Sequence, residues 1–188
     1  MTVLTAGVLA WALIHLMPAL SPALRANLVG RMAEGPYRGL FALAIVASVV
    51  LMVVGWRSAP LTVVYVAPVQ AGYLGFVLTI LAFFLIGAAH YPTRIKRVLR
   101  HPMLCGIALW AASHLLQSGT TRALVLFGGL GVWALIEIPL INRREGAYEK
   151  PVAPALSREW RGLLISGAIV VAVLLAHPYI AGVSPFPR

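Results

Sequence analysis

The sequence predicts an all-α fold, a polytopic membrane helix bundle with about six transmembrane helices forming a single domain over residues 1–188. Hydrophobic residues make up 61% of the chain and charged residues only 11%, whereas soluble domains carry about 25% charged residues. The apolar residues gather in six long runs, and the basic residues collect in alternate connections between them. These observations favour a chain that is solvated by lipid over a soluble domain.

Each apolar run is close to the roughly 20 residues that a membrane-spanning helix needs. None alternates with a period of two, and Leu, Ala, Val and Ile dominate, so helices are favoured over strands. The fourth run is the shortest, and we expect it to tilt less than the others or to lie where the bilayer is thin. The runs extend over about Val3–Leu20, Tyr37–Trp56, Ala71–His90, Pro102–Ser118, Arg122–Ile141 and Gly162–Ala181.

The basic residues predict the orientation of the bundle. Of fifteen Lys and Arg residues, twelve fall in the first, third and fifth connections, and the others are Arg57, Arg122 and Arg188. Positive residues favour the cytoplasmic side, so both termini are predicted to lie outside the cytoplasm. No basic cluster is interleaved with aromatic residues, which argues against a nucleic-acid partner and leaves the lipid bilayer as the predicted one. The single cysteine, Cys105, excludes an intrachain disulfide and a cysteine-based metal cluster.

Three of the five histidines are expected at the edges of the predicted membrane region. His90 and His101 flank the basic third connection, and His177 lies near the outer end of the last run. We interpret all three as interfacial or capping residues, with a functional role as the alternative. Glu137 is the only acid within a run; we expect it to pair with Arg143 or Arg144 or to snorkel to the interface, and a cofactor-binding carboxylate is the alternative.

The other two histidines lie inside predicted helices and share one sequence pattern, Trp-Ala-x-x-His-Leu. Residues three and four positions apart lie on one helix face, so each helix presents a Trp, a small Ala and a His together. An ionisable residue within the membrane is a functional candidate, and a neutral imidazole is a good ligand for iron. The pattern comprises Trp11, Ala12 and His15 in the first run and Trp110, Ala111 and His114 in the fourth.

Two such helices facing each other would clamp a haem b between His15 and His114. The first and fourth runs have opposite predicted directions, as in an inverted repeat. The two histidines would then differ in depth by roughly 10 Å, so a shared haem would lie well tilted toward the membrane plane. The alternative is that both are buried histidines, each bonded to a hydroxyl or carbonyl, and that the similarity arose by chance.

Two stretches resemble the NnrU family. The longer is Arg100–Gly119, which reads RHPMLCGIALWAASHLLQSG, and the shorter is His15–Leu20, followed by Arg25 and by Gly35–Arg38. The resemblance extends over roughly Val8–Arg144, which is most of the chain. It implies a multi-pass protein of the bacterial inner membrane that is linked to denitrification and nitric oxide metabolism.

The NnrU family is related to the plant 15-cis-zeta-carotene isomerase, which carries a b-type haem and rotates a central double bond of a carotenoid. The histidines that ligate that haem match His15 and His114. The isomerase has a redox-linked cysteine three residues before its second histidine, where this chain has Ala111. The resemblance therefore implies a haem-binding membrane protein, either a redox protein with a partner or an isomerase of an apolar polyene.

Cationic side chains are expected near the propionates of such a haem. Arg25, Arg38 and Arg100 are the candidates.

Two alternative functions remain open from the sequence. The Arg-His-Pro-x-x-x-Gly start of the fourth run, Arg100–Gly106, also resembles the isoprenylcysteine methyltransferase group, which binds S-adenosylmethionine. That resemblance implies roles for His101 and Glu137, although the acidic segment of the group is only thinly matched by Glu145 and Glu149. The other alternative is a non-catalytic assembly or partner subunit.

Overall fold

The computed structural model of the protein describes residues 1–186 and, over that range, consists of eight α-helices. A π-helical segment, Leu124–Gly128, joins the sixth and seventh helices into one continuous rod, and a short 3₁₀ turn, Arg94–Arg97, precedes the fifth. Arg188, counted above among the outer basic residues, lies outside the described residues. The helices are α1 (Thr2–Leu20), α2 (Pro22–Met32), α3 (Glu34–Ser58), α4 (Val69–Ala88), α5 (Pro102–Gln117), α6 (Thr121–Ala123), α7 (Gly129–Glu145) and α8 (Leu156–Ala181).

The predicted membrane helix bundle is confirmed. Five helical stretches of the described chain are long and apolar enough to cross a membrane: α1, α3, α4, the α6–α7 rod over Thr121–Glu145, and α8. The remaining apolar run forms α5, which has 16 residues and is the shortest of the helices that build the bundle core. Its crossing of the bilayer and the orientation of the bundle stay predictions.

The structure adds helical turns that the hydropathy pattern does not predict. α2 lies in the first connection; it begins with Pro22, whose missing N–H group is tolerated at a helix start, and it has no buried residue. α3 begins at Glu34, three residues before the predicted start, and α8 begins at Leu156 rather than near Gly162. Helical hydrogen bonding continues past the apolar region because charged side chains are well solvated at the interface.

The helices form a row of neighbours in the order α3, α1, α7, α5, α4 and α8. The rod containing α7 runs parallel to α1, with Gly129 beside Val8 and Trp133 beside Trp11. It runs antiparallel to α5, where Gly131 faces Ala111. The expectation that the first and fourth runs face each other across a haem stays a prediction, and α7 packs against both α1 and α5. Its glycines allow this close approach on both sides.

α1 and α3 approach each other backbone to backbone. A Cβ atom built on Gly55 would overlap the backbone of Leu4, which is itself fully buried. A Cβ atom on Gly7 would lie 2.7 Å from the backbone nitrogen of Met52. Side chains at these positions would force the two helices apart, so the glycines are required by packing.

We expect Gly55→Ala to destabilise the protein by about 1–3 kcal/mol because the new methyl group overlaps a rigid backbone. The measurement is the midpoint of thermal unfolding in detergent. Gly39→Ala is the matched control, since Gly39 lies in the same helix and a Cβ atom there would have no neighbour within 4 Å; that change is expected to be neutral or stabilising. Equal midpoints for the two variants would contradict this packing of α1 against α3.

Candidate functional site

His15 is fixed by its own helix. Its Nδ1 atom lies 2.9 Å from the carbonyl oxygen of Trp11, one turn earlier. A carbonyl oxygen only accepts hydrogen bonds, so Nδ1 carries the proton. In the neutral imidazole, Nε2 then has a free lone pair, and it makes no hydrogen bond to any residue in the described range. The histidine therefore presents one unused acceptor nitrogen.

His114 repeats this arrangement in α5. Its Nδ1 atom lies 2.9 Å from the carbonyl oxygen of Trp110 and 3.3 Å from the hydroxyl oxygen of Ser113. Its Nε2 atom likewise has no hydrogen-bond partner among residues 1–186. Metal-binding histidines almost always donate their second ring N–H group to a carbonyl or carboxylate, which sets the tautomer and the ring orientation. Both Trp-Ala-x-x-His patterns thus hold the imidazole with its proton on Nδ1 and its Nε2 atom available to bind a metal.

Aromatic rings surround His15. Its ring centroid lies 4.2 Å from that of Trp11, 4.9 Å from that of Trp133 and 5.9 Å from that of Phe41. These neighbours come from α1, α7 and α3 respectively. Three helices therefore shape the apolar environment of this imidazole.

His114 has a different set of neighbours. It stacks on Phe127, with ring centroids 4.3 Å apart and an angle of 26° between the planes. Trp110 lies 4.8 Å away, and the imidazole of His177 from α8 lies 6.5 Å away. The structure thus brings a second histidine to His114, and that histidine is His177.

His15 and His114 share no aromatic neighbour in the described part of the chain, and α7 stands between their helices. Helical side chains lean toward the N-terminus of their own helix. Because α1 and α5 are antiparallel, the two rings lean toward each other in depth. Their neighbours on the α7 rod, Trp133 and Phe127, are still six residues apart, or roughly 9 Å along a helix, in line with the depth difference expected from sequence position. The hydrogen bonds to the carbonyl oxygens of Trp11 and Trp110 hold both rings in this direction.

The two alanines of the pattern take part in helix packing. Ala111 is buried, and a Cβ atom built on Gly131 would lie 3.0 Å from its methyl group. Ala12 packs against a buried cluster of Leu104, Trp133 and Ala134. Their small size lets α7 approach both histidine-bearing helices, and a role beside a cofactor stays a prediction.

The three arginines proposed for haem propionates have carboxylate partners within the protein. Arg25 and Arg38 both donate to the Oε1 atom of Glu34, at 3.3 and 3.0 Å. Arg100 donates to the Oε2 atom of Glu145 at 3.0 Å. A propionate would therefore join an existing ion pair at each place rather than meet an isolated cation.

The prediction that Glu137 pairs with Arg143 or Arg144, or snorkels to the interface, is wrong, whereas its alternative role as a cofactor-binding carboxylate stays a prediction. Its carboxylate accepts a hydrogen bond from the indole N–H group of Trp133 at 3.1 Å, and the residue is only 7% exposed. Arg144 is bonded to Glu145 at 3.1 Å instead. Arg144 lies about two turns, or roughly 10 Å, beyond Glu137 along the helix, which explains why the pair does not form. The sequence predicted a pair with the nearest cations along the chain, whereas the side chain of Glu137 points toward the core.

The remaining histidines are distributed as follows. His90 is exposed beyond the end of α4, and the Nε2 atom of His101 lies 2.9 Å from the amide oxygen of Asn142. The Nδ1 atom of His177 lies 2.9 Å from the carbonyl oxygen of Val183, so it too carries the proton on Nδ1. Its proximity to His114 was not predicted, although both lie near the outer ends of helices with the same predicted direction.

In residues 1–186, no cluster of three or more His, Cys, Asp or Glu side chains is arranged to hold a bare metal ion. A haem needs fewer ligands from the protein than a bare metal ion, because the porphyrin itself supplies four nitrogen ligands and the protein supplies only the remaining one or two. His15 and His114 could each supply one such nitrogen, and haem binding by them stays a prediction.

The family model described as NnrU protein matches residues 3–185 of the chain. The chain belongs to the NnrU family. The match covers both histidine patterns and extends beyond the Val8–Arg144 stretch that carries the sequence resemblance. No curated protein and no solved structure matches the chain. Family membership is thus established for this NnrU protein independently of its site.

We expect Glu137→Leu to destabilise the protein by about 1–3 kcal/mol, because it leaves the buried indole N–H group of Trp133 without an acceptor. Glu137→Gln keeps an amide oxygen in the same place and is expected to retain most of the stability. The midpoints of thermal unfolding distinguish the two. Equal loss in both variants would show that the charge matters rather than the hydrogen bond.

Proposed function

We propose that this NnrU protein is a membrane haem b protein whose His15 and His114 supply imidazole nitrogens to the iron. The proposal is supported above all by one observation. Each imidazole donates its Nδ1 proton to the carbonyl oxygen of a tryptophan 2.9 Å away, and each leaves Nε2 free. Two half-buried neutral imidazoles in one tautomer match the donor set that haem iron takes from proteins.

The surroundings of His15 fit an occupant with a flat apolar body and a polar edge. Trp11, Trp133 and Phe41 provide ring surfaces around the imidazole. The indole nitrogen of Trp11 is buried and has no hydrogen-bond partner in the described chain. A buried donor without an acceptor is costly, so a ligand with an oxygen atom at that point would stabilise the site.

The role that these residues support best is electron transfer within the membrane. When bound, a haem supplies a one-electron redox centre. If His15 and His114 both held the iron, the protein would leave no ligand position for a substrate, and electron exchange with a redox partner would then be favoured over isomerisation of a polyene. Ala111 also stands where the related isomerase has a cysteine. The link to nitric oxide metabolism in a bacterial inner membrane follows from the family and is part of the proposal.

His114 and His177 form an alternative pair of histidines that could hold the iron, and the distance between their rings favours this pair. The centroids of these two rings lie 6.5 Å apart, a separation at which both imidazoles could reach one metal with metal–nitrogen distances of about 2 Å. The hydrogen bond of His177 to Val183 is exposed, whereas that of His15 to Trp11 is partly buried, and His177 lies near the end of its helix. We prefer His15 because it lies among ring surfaces inside the bundle.

The experiment is an absorption spectrum of the full-length protein, expressed with sufficient haem and purified in detergent. A Soret band is expected in the wild type. His15→Ala and His114→Ala are expected to lower the haem content per protein by about tenfold or more, since each removes a direct ligand. His90→Ala is the matched control, because it removes an exposed histidine outside the site.

A wild-type protein without haem under these conditions would refute the proposed function. A loss of haem in His114→Ala and His177→Ala, with haem retained in His15→Ala, would assign the alternative pair. Unfolding midpoints of the variants separate loss of a ligand from loss of the fold.

A further inference from the structure

A shallow surface cavity of about 310 Å³, open on one side, lies where α1 ends, α2 passes and α3 begins. It is separate from the two Trp–His pairs, although Phe41 in its wall also contacts His15. Apolar and charged side chains both line it. They are Pro18, Arg25, Glu34, Tyr37, Arg38 and Phe41.

The chain forms this cavity through two abrupt turns. α1 ends at Leu20 and α2 begins at Pro22, so one residue separates them. Ala33 then adopts a positive φ of 69°, which is uncommon for a residue with a side chain, and α3 begins at the next residue. Two short connections thus bring the arginine of α2 against the first turns of α3.

The charged side chains leave a net positive charge in the cavity. The Oε1 atom of Glu34 accepts hydrogen bonds from Arg25 and Arg38, at 3.3 and 3.0 Å. One carboxylate therefore balances one of two guanidinium groups. Each arginine bonds to it through a single nitrogen, so most of the donors of both guanidinium groups remain available.

Tyr37 provides a further, unused donor. The residue is only 7% exposed, and its hydroxyl group is buried without a hydrogen-bond partner in the described part of the chain. The guanidinium group of Arg25 lies 5.6 Å from the centroid of its ring. A buried hydroxyl group in a cavity that two cations line is stabilised by an occupant that accepts hydrogen bonds and carries negative charge.

The position of the cavity indicates the source of such an occupant. Arg25 and Arg38 belong to the first basic connection, which is predicted to lie at the cytoplasmic face. α2 has no buried residue, as is typical of a helix that lies along the interface. Phospholipid headgroups occupy this depth, and the apolar walls formed by Pro18 and Phe41 suit the glycerol and upper acyl region of a lipid. A phosphodiester carries one negative charge, which matches the excess of one guanidinium group.

We propose that this cavity binds the phosphodiester headgroup of an anionic phospholipid of the cytoplasmic leaflet. The donors are Arg25, Arg38 and the hydroxyl group of Tyr37. Glu34 holds the two arginines in place and is not itself a lipid contact. Arg25 and Arg38 are also the candidates for haem propionates, but no cavity residue is an iron ligand in the proposed function, so the lipid proposal does not depend on haem binding.

The test is native mass spectrometry of the full-length protein in detergent, titrated with phosphatidylglycerol. Tyr37→Phe is expected to weaken binding about fivefold through the loss of one hydrogen bond, and Arg38→Gln about tenfold through the loss of a charged one. Arg31→Gln is the matched control; it removes a cation from the exposed surface of α2, outside the cavity, and binding is expected to change by less than about twofold.

Phosphatidylcholine and inorganic phosphate are the comparison ligands. Weaker binding of zwitterionic phosphatidylcholine, and no displacement of phosphatidylglycerol by inorganic phosphate, would support a headgroup site for an anionic lipid.

Equal losses of lipid affinity in Arg31→Gln and Arg38→Gln would overturn the proposal, because they would indicate attraction by overall charge alone. Displacement by inorganic phosphate would overturn it in favour of a soluble anion, and a haem adduct that disappears in Arg38→Gln while lipid binding persists would assign the arginine to a propionate. Thermal unfolding of each variant confirms that it is folded.

Discussion

The close approach of α7 to two neighbouring helices is the constraint on which the candidate site depends. In lipid, apolar side chains gain little by leaving the solvent for another helix, so helices associate where small residues allow close van der Waals contact. Gly129 meets Val8 of α1, and Gly131 meets Ala111 of α5. A side chain at either glycine would push α7 away from one partner. Since α1 and α5 carry the two Trp–His pairs, the position of α7 sets the separation of the imidazoles.

The same rod also supplies a ring to each histidine. Phe127 stacks on His114, and Trp133 lies beside His15. Phe127 belongs to the π-helical segment and Trp133 to the regular helix after it, and π segments inside helices frequently occur at functional sites. Trp133 is held in turn by its hydrogen bond to Glu137. A buried acid that contacts neither imidazole thus helps to orient the aromatic surface next to one of them.

Hydropathy and charge predicted the bundle well because lipid imposes a simple rule: each crossing needs a long apolar helix. Hydropathy does not predict helical turns made of polar residues, so the sequence did not predict α2 or the first turn of α8. The repeated pattern around His15 and His114 predicted a common local structure, since the hydrogen bond to residue i−4 depends only on the helix itself. Which helices become neighbours depends on glycine contacts across the whole bundle. The insertion of α7 and the proximity of His177 to His114 were therefore beyond sequence patterns.

At the predicted cytoplasmic side, pairs of arginines share one glutamate each and so form positively charged clusters that suit anions. Glu34 is shared by Arg25 and Arg38, and Glu145 by Arg100 and Arg144. Each shared carboxylate keeps two guanidinium groups together that would otherwise repel, and each cluster retains one net positive charge. Holding the donors in place before a ligand arrives lowers the entropic cost of binding. The glutamates are thus part of the anion-binding arrangement rather than competitors for it, and with only five acidic residues in the chain an excess of positive charge at this face follows from the composition itself.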